Sequence, residues 1–232
     1  MPLNIIYKED IARRISQAWE CEGEDICDIV ANISIRRFKK NDYIYNEHQT
    51  PTRLIYLVRG KVKIVKDSCA GRPQIVRAIN EGQFLGYRAF FAHEEYITSA
   101  LAFEDSIVAT LPFCFLKDML QRHCGVAKYF IRELATTLGS SDSRIVSLTQ
   151  KHIRGRLAET ILSLKDNYGV CPVSNTINIS MSRDDIASLS NMSTSNAIRT
   201  LSAFAQEGII MIEGKKIRIV DQGRLHKISE MG

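Results

Sequence analysis

The chain has 232 residues, 45% of them hydrophobic and 25% charged, with a formal net charge of +5. That length suits two compact units, since single domains run to about 100–150 residues, and the composition supports packed cores and excludes wholesale disorder. The longest apolar stretch, residues 107–116, contains Thr110 and Pro112 and is far short of a membrane span. No basic-then-apolar leader follows Met1 and Pro2, so cytoplasmic residence and no membrane partner are expected. Cys21, Cys27, Cys69, Cys114, Cys124 and Cys171 are scattered without a CxxC pair, which argues against a disulfide framework and a zinc site; no metal site is expected.

Residues 5–31 place Ile11, Ile15, Ala18, Trp19, Ile26, Ile29 and Val30 at helical spacing, which predicts one or two short helices. From 33 to 111 the texture changes to short β-branched and aromatic runs, such as 55–58 and 62–65, separated by turn residues at 59–61, 69–73 and 81–82. Short strands joined by such turns predict a β-roll or barrel. Beyond Pro112 helical spacing returns, with a short helix over 115–121 and a long one over 126–152. On the long helix Ile131, Leu134, Leu138, Ser141, Ile145 and Leu148 recur at alternating intervals of three and four, a heptad seam with one polar position. A seam of this kind wants a partner helix and predicts a homodimer; the competing reading packs the stripe on the chain's own β-domain. The expected fold class is α+β, with an N-terminal sensor domain over 1–125, a dimerisation helix over 126–152 and a C-terminal domain over 153–232.

Residues 151–232 hold eleven Lys and Arg against eight Asp and Glu, a bias that suits phosphate contact. Within it, residues 180–220 carry the most specific pattern. Ser182 can cap a helix whose first turn, Arg183-Asp184-Asp185, sets two carboxylates at the positive end of the dipole. Ile186 and Leu189 face a core, Ala187 is small where a second helix must cross, and Asn191 tolerates the left-handed backbone of a turn. Ser193 or Thr194 starts the second helix, with Ala197, Leu201 and Phe204 as its buried stripe and Gly208 ending it. Its polar face sets Thr194, Ser195, Asn196 and Arg199 where a recognition helix meets base edges, with Arg199 suited to guanine and Asn196 to adenine. Two strands about Glu213-Gly214-Lys215 then form a wing whose Lys215, Lys216 and Arg218 lie near phosphates. This order of parts predicts a winged helix-turn-helix that binds double-stranded DNA. The competing reading is a helical hairpin used for packing or protein contacts, in which the chain acts as a ligand- or redox-sensing module. No GxSxG, HExxH or P-loop motif points to an enzyme.

The run RLIYLVRGKVKIVKD, then NEGQFLGYRAFF, the heptad helix, IRGRLAETILSL and the helix-turn-helix together make the chain resemble the Crp/Fnr family over about 200 residues. The resemblance implies a cyclic-nucleotide-binding β-roll, a dimer built on the central helix and two recognition helices presented to a palindromic promoter site, with RNA polymerase as a further partner. It also exposes a departure. Where nucleotide-binding members carry a glutamate after the FxG glycine (Gly86 here) and an Arg-Ser pair farther on, this sequence has Tyr87, Ile97 and Thr98. Losing the arginine removes the fork-like, charge-assisted contact best suited to a phosphate, so cyclic AMP in the usual mode is not the expected effector. Arg88 offers an alternative cation, and Ser141 falls where some members touch the nucleotide base, though it also suits the polar register position of the seam.

The sequence names no cofactor. An iron-sulfur sensor needs a close N-terminal thiolate cluster, and only Cys21 and Cys27 precede the roll. Haem needs an axial ligand, for which His48, His93, His123, Cys69 and Pro2 are formally available without a distinguishing context. A titrating cysteine sensor is equally open at this stage.

Overall fold

The computed structural model describes residues 3–67 and 73–231; Pro2, Cys69 and all but Pro73 of the expected turn over 69–73 lie outside the described residues. Two N-terminal helices, α1 (Leu3–Trp19) and α2 (Glu24–Asn32), lead into strands β1 (Ser34–Phe38), β2 (Tyr43–Tyr45), β3 (Arg53–Arg59), β4 (Val62–Lys66), β5 (Gln74–Ile79) and β6 (Phe84–Leu85). A short α3 (Tyr87–Ala92) interrupts the strands before β7 (Ser99–Ala102) and β8 (Ser106–Pro112), and α4 (Phe113–Arg122) and the 27-residue α5 (Cys124–Gln150) follow. Residues 1–67 with 76–139 form one compact unit, and residues 68–75 with 140–232 form another. The division falls within the long helix, between residues 139 and 140.

In the first unit the strands make two four-stranded sheets, ordered β1-β8-β3-β6 and β2-β7-β4-β5. Strand β3 shows why its sequence reads as an unbroken apolar run instead of an alternating one. Ile55 and Leu57 point into a core shared with Ile64, Ala100 and Ala102 of the other sheet. Leu54, Tyr56 and Val58 point the opposite way, into a core shared with the helices. Because successive side chains leave opposite faces of a strand, a sheet covered on both faces demands apolar residues at every position.

The helical core is dominated by rings. Trp19 stacks on Phe84 with centroids 5.5 Å apart, and Phe130 of α5 lies 5.7 Å from Phe84 and 5.3 Å from Tyr87. Chain contact at the start of α5 is so close that a Cβ on Gly125 would sit 2.2 Å from the Trp19 carbonyl oxygen, so only glycine fits there.

The second unit is built on α6 (Ile153–Tyr168), which buries Leu157, Ala158, Ile161 and Leu164. Packed with it are α8 (Thr194–Gln206) and α9 (Gln222–Met231), while α7 (Arg183–Leu189) and the hairpin of β9 (Ile210–Glu213) and β10 (Lys216–Ile219) pack through α8. Helix α9 was not foreseen. Its buried residues are Leu225 and Ser229, too sparse a stripe to stand out in the sequence, and its packing against α6 is what stabilises it.

Candidate nucleic-acid interface and sensor site

Helix α7 begins at a full capping box: the Ser182 hydroxyl accepts the Asp185 N–H at 3.1 Å while the Asp185 carboxylate receives the Ser182 N–H. Each satisfies a backbone group that the first turn of a helix leaves without an internal partner. The turn follows at Asn191, whose φ of 50° is left-handed, and the Met192 N–H closes onto the Ala187 carbonyl at 3.0 Å. Ser193 then caps α8 by accepting the Asn196 N–H at 3.3 Å. Ala197, Leu201 and Phe204 are buried, so α8 is held by that stripe and its opposite side faces out.

On the outward side Ser195 and Arg199 are exposed and Asn196 and Thr194 are half-buried. Arg199 makes no hydrogen bond or ion pair among the described residues, which leaves its five donors available to an external acceptor. Thr194 is different: its hydroxyl donates to Asp184 at 2.7 Å and ties the two helices together. Arg183, expected beside DNA, donates to the Gly214 carbonyl at 3.0 Å and so fixes the tip of the hairpin to the start of α7. In that hairpin Ile210, Ile217 and Ile219 face inward, while Lys215, Lys216 and Arg218 are exposed. The Met181 N–H bonds the Lys215 carbonyl at 3.0 Å, a second tie between hairpin and α7. The assembly thus presents a polar helix face and a basic hairpin on one rigidly bonded body, the arrangement that positions base readers with phosphate contacts.

One pair that sequence reading missed anchors the far end of α8. Arg154, on the first turn of α6, meets the Glu207 carboxylate with both terminal nitrogens at 2.8 Å and lies over the Phe204 ring at 4.9 Å. Arg224 of α9 donates to the Glu207 carbonyl at 2.9 Å. The Arg154 guanidinium holds the Glu207 carboxyl below the usual carboxylate range. Residues 53 positions apart give no local pattern, so no sequence signal could have found this pair.

In the first unit, the residues expected to form an effector pocket are not brought together. Tyr87 is buried in the aromatic core against Phe130. Arg88 is exposed and pairs with Glu94 at 2.9 Å, and Ile97 is also exposed. Ser141 sits on an exposed face of α5 and belongs to the second unit. Only Gly86 and Thr98 point to one place, and that place holds tyrosines. Tyr45 and Tyr96 stack with centroids 3.9 Å apart, Thr98 hydrogen-bonds the Tyr45 hydroxyl, and a Cβ on Gly86 would stand 3.0 Å from the Tyr96 hydroxyl. Burial raises both phenols above the usual tyrosine range, and for Tyr45 the bond from Thr98 opposes the shift.

Two family models match this geometry from opposite ends: a cyclic nucleotide-binding domain over residues 35–123 and a Crp-like helix-turn-helix domain over residues 155–228. A CRP-like cAMP-activated global transcriptional regulator of Mycobacterium tuberculosis is 23% identical over 190 residues, covering 81% of this chain and 84% of that protein. An anaerobic regulatory protein of Aggregatibacter actinomycetemcomitans is 24% identical, covering 82% and 74%. The solved structure of FixK2 from Bradyrhizobium japonicum shares the fold with a TM-score of 0.76 at 22% identity, covering 84% of this chain and 96% of that one. The chain belongs to the Crp/Fnr family.

It is a Crp/Fnr-type transcription regulator with a helix-turn-helix DNA-binding domain, and its mixed α+β fold follows the family plan of β-roll, long helix and winged domain. On this family frame the heptad stripe of α5 divides by exposure. Ile131, Leu138 and Ile145 are 66%, 64% and 60% exposed, with Ser141 also open to solvent, whereas Leu148 is half-buried and Leu134 leans on the helical core. Of the stripe, Leu134 packs against the helical core of the first unit.

The His and Cys side chains of the described residues are dispersed. Among the described residues no group of three or more His, Cys, Asp and Glu side chains could hold a metal ion. His123 bonds Asp25 at 2.9 Å, His48 and His93 are exposed, and Cys21, Cys27, Cys114, Cys124 and Cys171 are free thiols. Two of these thiols differ in reactivity. Burial, helped by the Asp25 charge, pushes the Cys21 thiol up to about 11, whereas hydrogen bonds from the Ser174 hydroxyl and the Ser174 and Val173 backbone hold Cys171 below its usual value. Because the thiolate is the nucleophile, iodoacetamide at pH 8 is expected to label Cys171 about a hundredfold faster than Cys21, read by peptide mass spectrometry. Equal labelling rates would contradict the assigned hydrogen bonds.

Proposed function

We propose that this Crp/Fnr regulator acts in the cytoplasm as a homodimer, reads a palindromic promoter site and there recruits or blocks RNA polymerase. The observation that carries the reading is the doubly capped α7-turn-α8 body, with Arg199 and Ser195 outward and Lys215, Lys216 and Arg218 on the adjoining hairpin. Supporting the dimer are Ile131, Leu138 and Ile145, three large apolar side chains spaced along one face of α5 and left in water in a single chain. A two-fold pair of such helices presents two recognition helices, and half-sites about one helical turn of DNA apart then mirror the protein's symmetry. The residues proposed to meet DNA are Ser193, Thr194, Ser195, Asn196, Arg199, Lys215 and Lys216, with Arg183 and the Thr194 hydroxyl serving also to hold the body together. The test is selection of duplexes from a randomised library by the purified chain, followed by footprinting. Enrichment of a palindrome protected at both half-sites is expected; no sequence-selective enrichment would overturn the reading.

For the sensor, we infer that cyclic AMP is not bound in the usual mode. The stacked Tyr45 and Tyr96 take up the space beside Gly86 and Thr98, Tyr87 is committed to the core and Arg88 to Glu94. Binding there would need to separate a buried aromatic pair and strip Arg88 of its partner, with no arginine standing at the position of Ile97 to repay either cost. Titration calorimetry with cyclic AMP is expected to register no binding below about millimolar concentration, and Ile97→Arg alone is not expected to restore it, because the tyrosines remain. Saturable micromolar binding by the unaltered chain would refute this.

A further inference from the structure

Glu207 caps the C-terminal end of α8, where a carboxylate opposes the helix dipole. The helix closes without that side chain: the Gly208 N–H meets the Ala205 carbonyl at 3.1 Å and the Ile209 N–H meets the Phe204 carbonyl at 2.9 Å, with Gly208 left-handed at φ 70°. Glu207 instead reaches outward to two other helices. Arg154 of α6 grips its carboxylate with both terminal nitrogens and covers the Phe204 ring. Arg224 of α9 donates to its carbonyl at 2.9 Å and stands 3.7 Å from its carboxylate. Arg224 is itself held in place, since its backbone N–H donates to the Asp221 carboxylate at 2.9 Å. All of these residues belong to the second unit.

These contacts bear on the angle of α8 and not on its existence. Its N-terminal end is tied to α7 by the bond from Thr194 to Asp184. At the other end the buried Phe204 ring supplies apolar packing, which is non-directional, whereas a two-pronged pairing of guanidinium and carboxylate fixes distance and angle together. Exposed ion pairs in general add little to stability, so direction is the main thing this one contributes. Leverage makes direction matter. At 1.5 Å of rise per residue Arg199 lies about 9 Å along the helix from Ser193, so a tilt of roughly 10° about that end moves it by about 1.5 Å. Directional hydrogen bonds at a binding site tolerate only about 0.5 Å.

Resting on the DNA-reading function above, we propose that Arg154, Glu207 and Arg224 are positioning residues for DNA recognition: they clamp the far end of α8 to α6 and α9 and so set the angle at which Ser195 and Arg199 meet base edges. Helix α9 thereby takes part in reading through Arg224. The clamp leaves Ser195 and Arg199 exposed, so it acts by keeping the reading geometry populated. Charge separates this role from phosphate contact. Arg154 and Glu207 carry opposite charges, so if each acted on the DNA backbone, removing one would weaken binding and removing the other would strengthen it. As two halves of one clamp, either loss has the same effect.

The experiment uses the full chain, a duplex that the unaltered chain has enriched from a randomised library, and a scrambled duplex of the same length and composition. Arg154→Ala and Glu207→Ala are each expected to lower the ratio of enriched to scrambled affinity about tenfold, as a fall of the correctly angled fraction to a tenth requires. Binding to the scrambled duplex should stay within about twofold, because it rests on phosphates. The double variant should lose little more than either alone, since both residues belong to one clamp. Glu207→Gln, which keeps the size of the side chain but not its charge, should lower the ratio at least about threefold, and Arg224→Ala should move it the same way. Opposite effects of the two alanine variants would make Arg154 a phosphate contact and overturn the proposal. So would an unchanged ratio, fully multiplicative losses, or equal losses on both duplexes, the mark of a role in folding alone. Failure of the unaltered chain to enrich any duplex would instead sink the DNA reading itself.

Discussion

Replacing Leu138 with glutamate is expected to leave the chain monomeric and to weaken its binding to a palindromic duplex by roughly 100- to 10,000-fold. Leu138 lies at the middle of the exposed stripe, between Ile131 and Ile145, and is 64% exposed in the single chain. In a dimer the two copies of this position approach across the seam, so the substitution removes apolar packing from both helices and brings two like charges together. The folded unit should survive, because Leu138 is not part of either core cluster of the roll. The loss in DNA affinity follows from valency: with one recognition helix per molecule, the second half-site no longer benefits from an effective concentration in the millimolar range. Sedimentation velocity and a mobility-shift titration give both readouts. A variant that stays dimeric, or a monomer that binds the palindrome as tightly as before, would contradict the assignment of the seam.

Arg199→Ala is expected to remove discrimination at one base pair in each half-site, worth about 1–3 kcal/mol, with little change in the salt dependence of binding. The side chain is exposed on α8, makes no hydrogen bond or ion pair among the described residues, and carries the planar fork that matches guanine O6 and N7. Replacing Lys215 and Lys216 together should do the reverse: weaker binding to all sequences and a salt slope shallower by roughly one for each phosphate that is no longer neutralised. The two results separate reading from holding. Competition among duplexes differing at single positions measures the first, and titrations at several salt concentrations the second. If Arg199→Ala kept its base preference, the proposed reading face would be misplaced.

How much of this was legible beforehand depends on the distance over which each feature is decided. The capping box of α7, the Asn191 turn, the Ser193 cap and the Gly208 ending involve partners within a few residues, so a local pattern of Ser, Asp, Asn and Gly displays them directly. The α5 stripe is legible for a related reason: helical periodicity places residues three and four apart on one face whatever the tertiary structure does. Exposure then had to be seen, since the same spacing leaves Ile131 and Leu138 open while Leu134 meets the core.

Other features were undecidable from the sequence. Strand β3 reads as a continuous apolar run because both of its faces are covered, a fact belonging to the packing of sheet and helices. Tyr87 stands one residue after Gly86, where a ligand-binding side chain was expected, yet α3 turns it toward Phe130. The same motif position can thus serve a pocket or a core, and the neighbouring rings decide which. Arg183 and Thr194 had the chemistry of DNA contacts, but Gly214 and Asp184 lie within their reach and claim donors from them.

The sequence by itself determined that the chain carries a β-roll, a long helix with a heptad stripe and a winged helix-turn-helix, because caps, turns and periodicity are local or repeat at fixed intervals. Tertiary structure alone decided which polar side chains are free to act. It commits Tyr45, Tyr96 and Thr98 to one another and Arg154 to Glu207, and it leaves Arg199 outward. The physical reason is that a hydrogen bond or ring contact depends on distances of a few ångströms between residues that stand tens of positions apart in the chain.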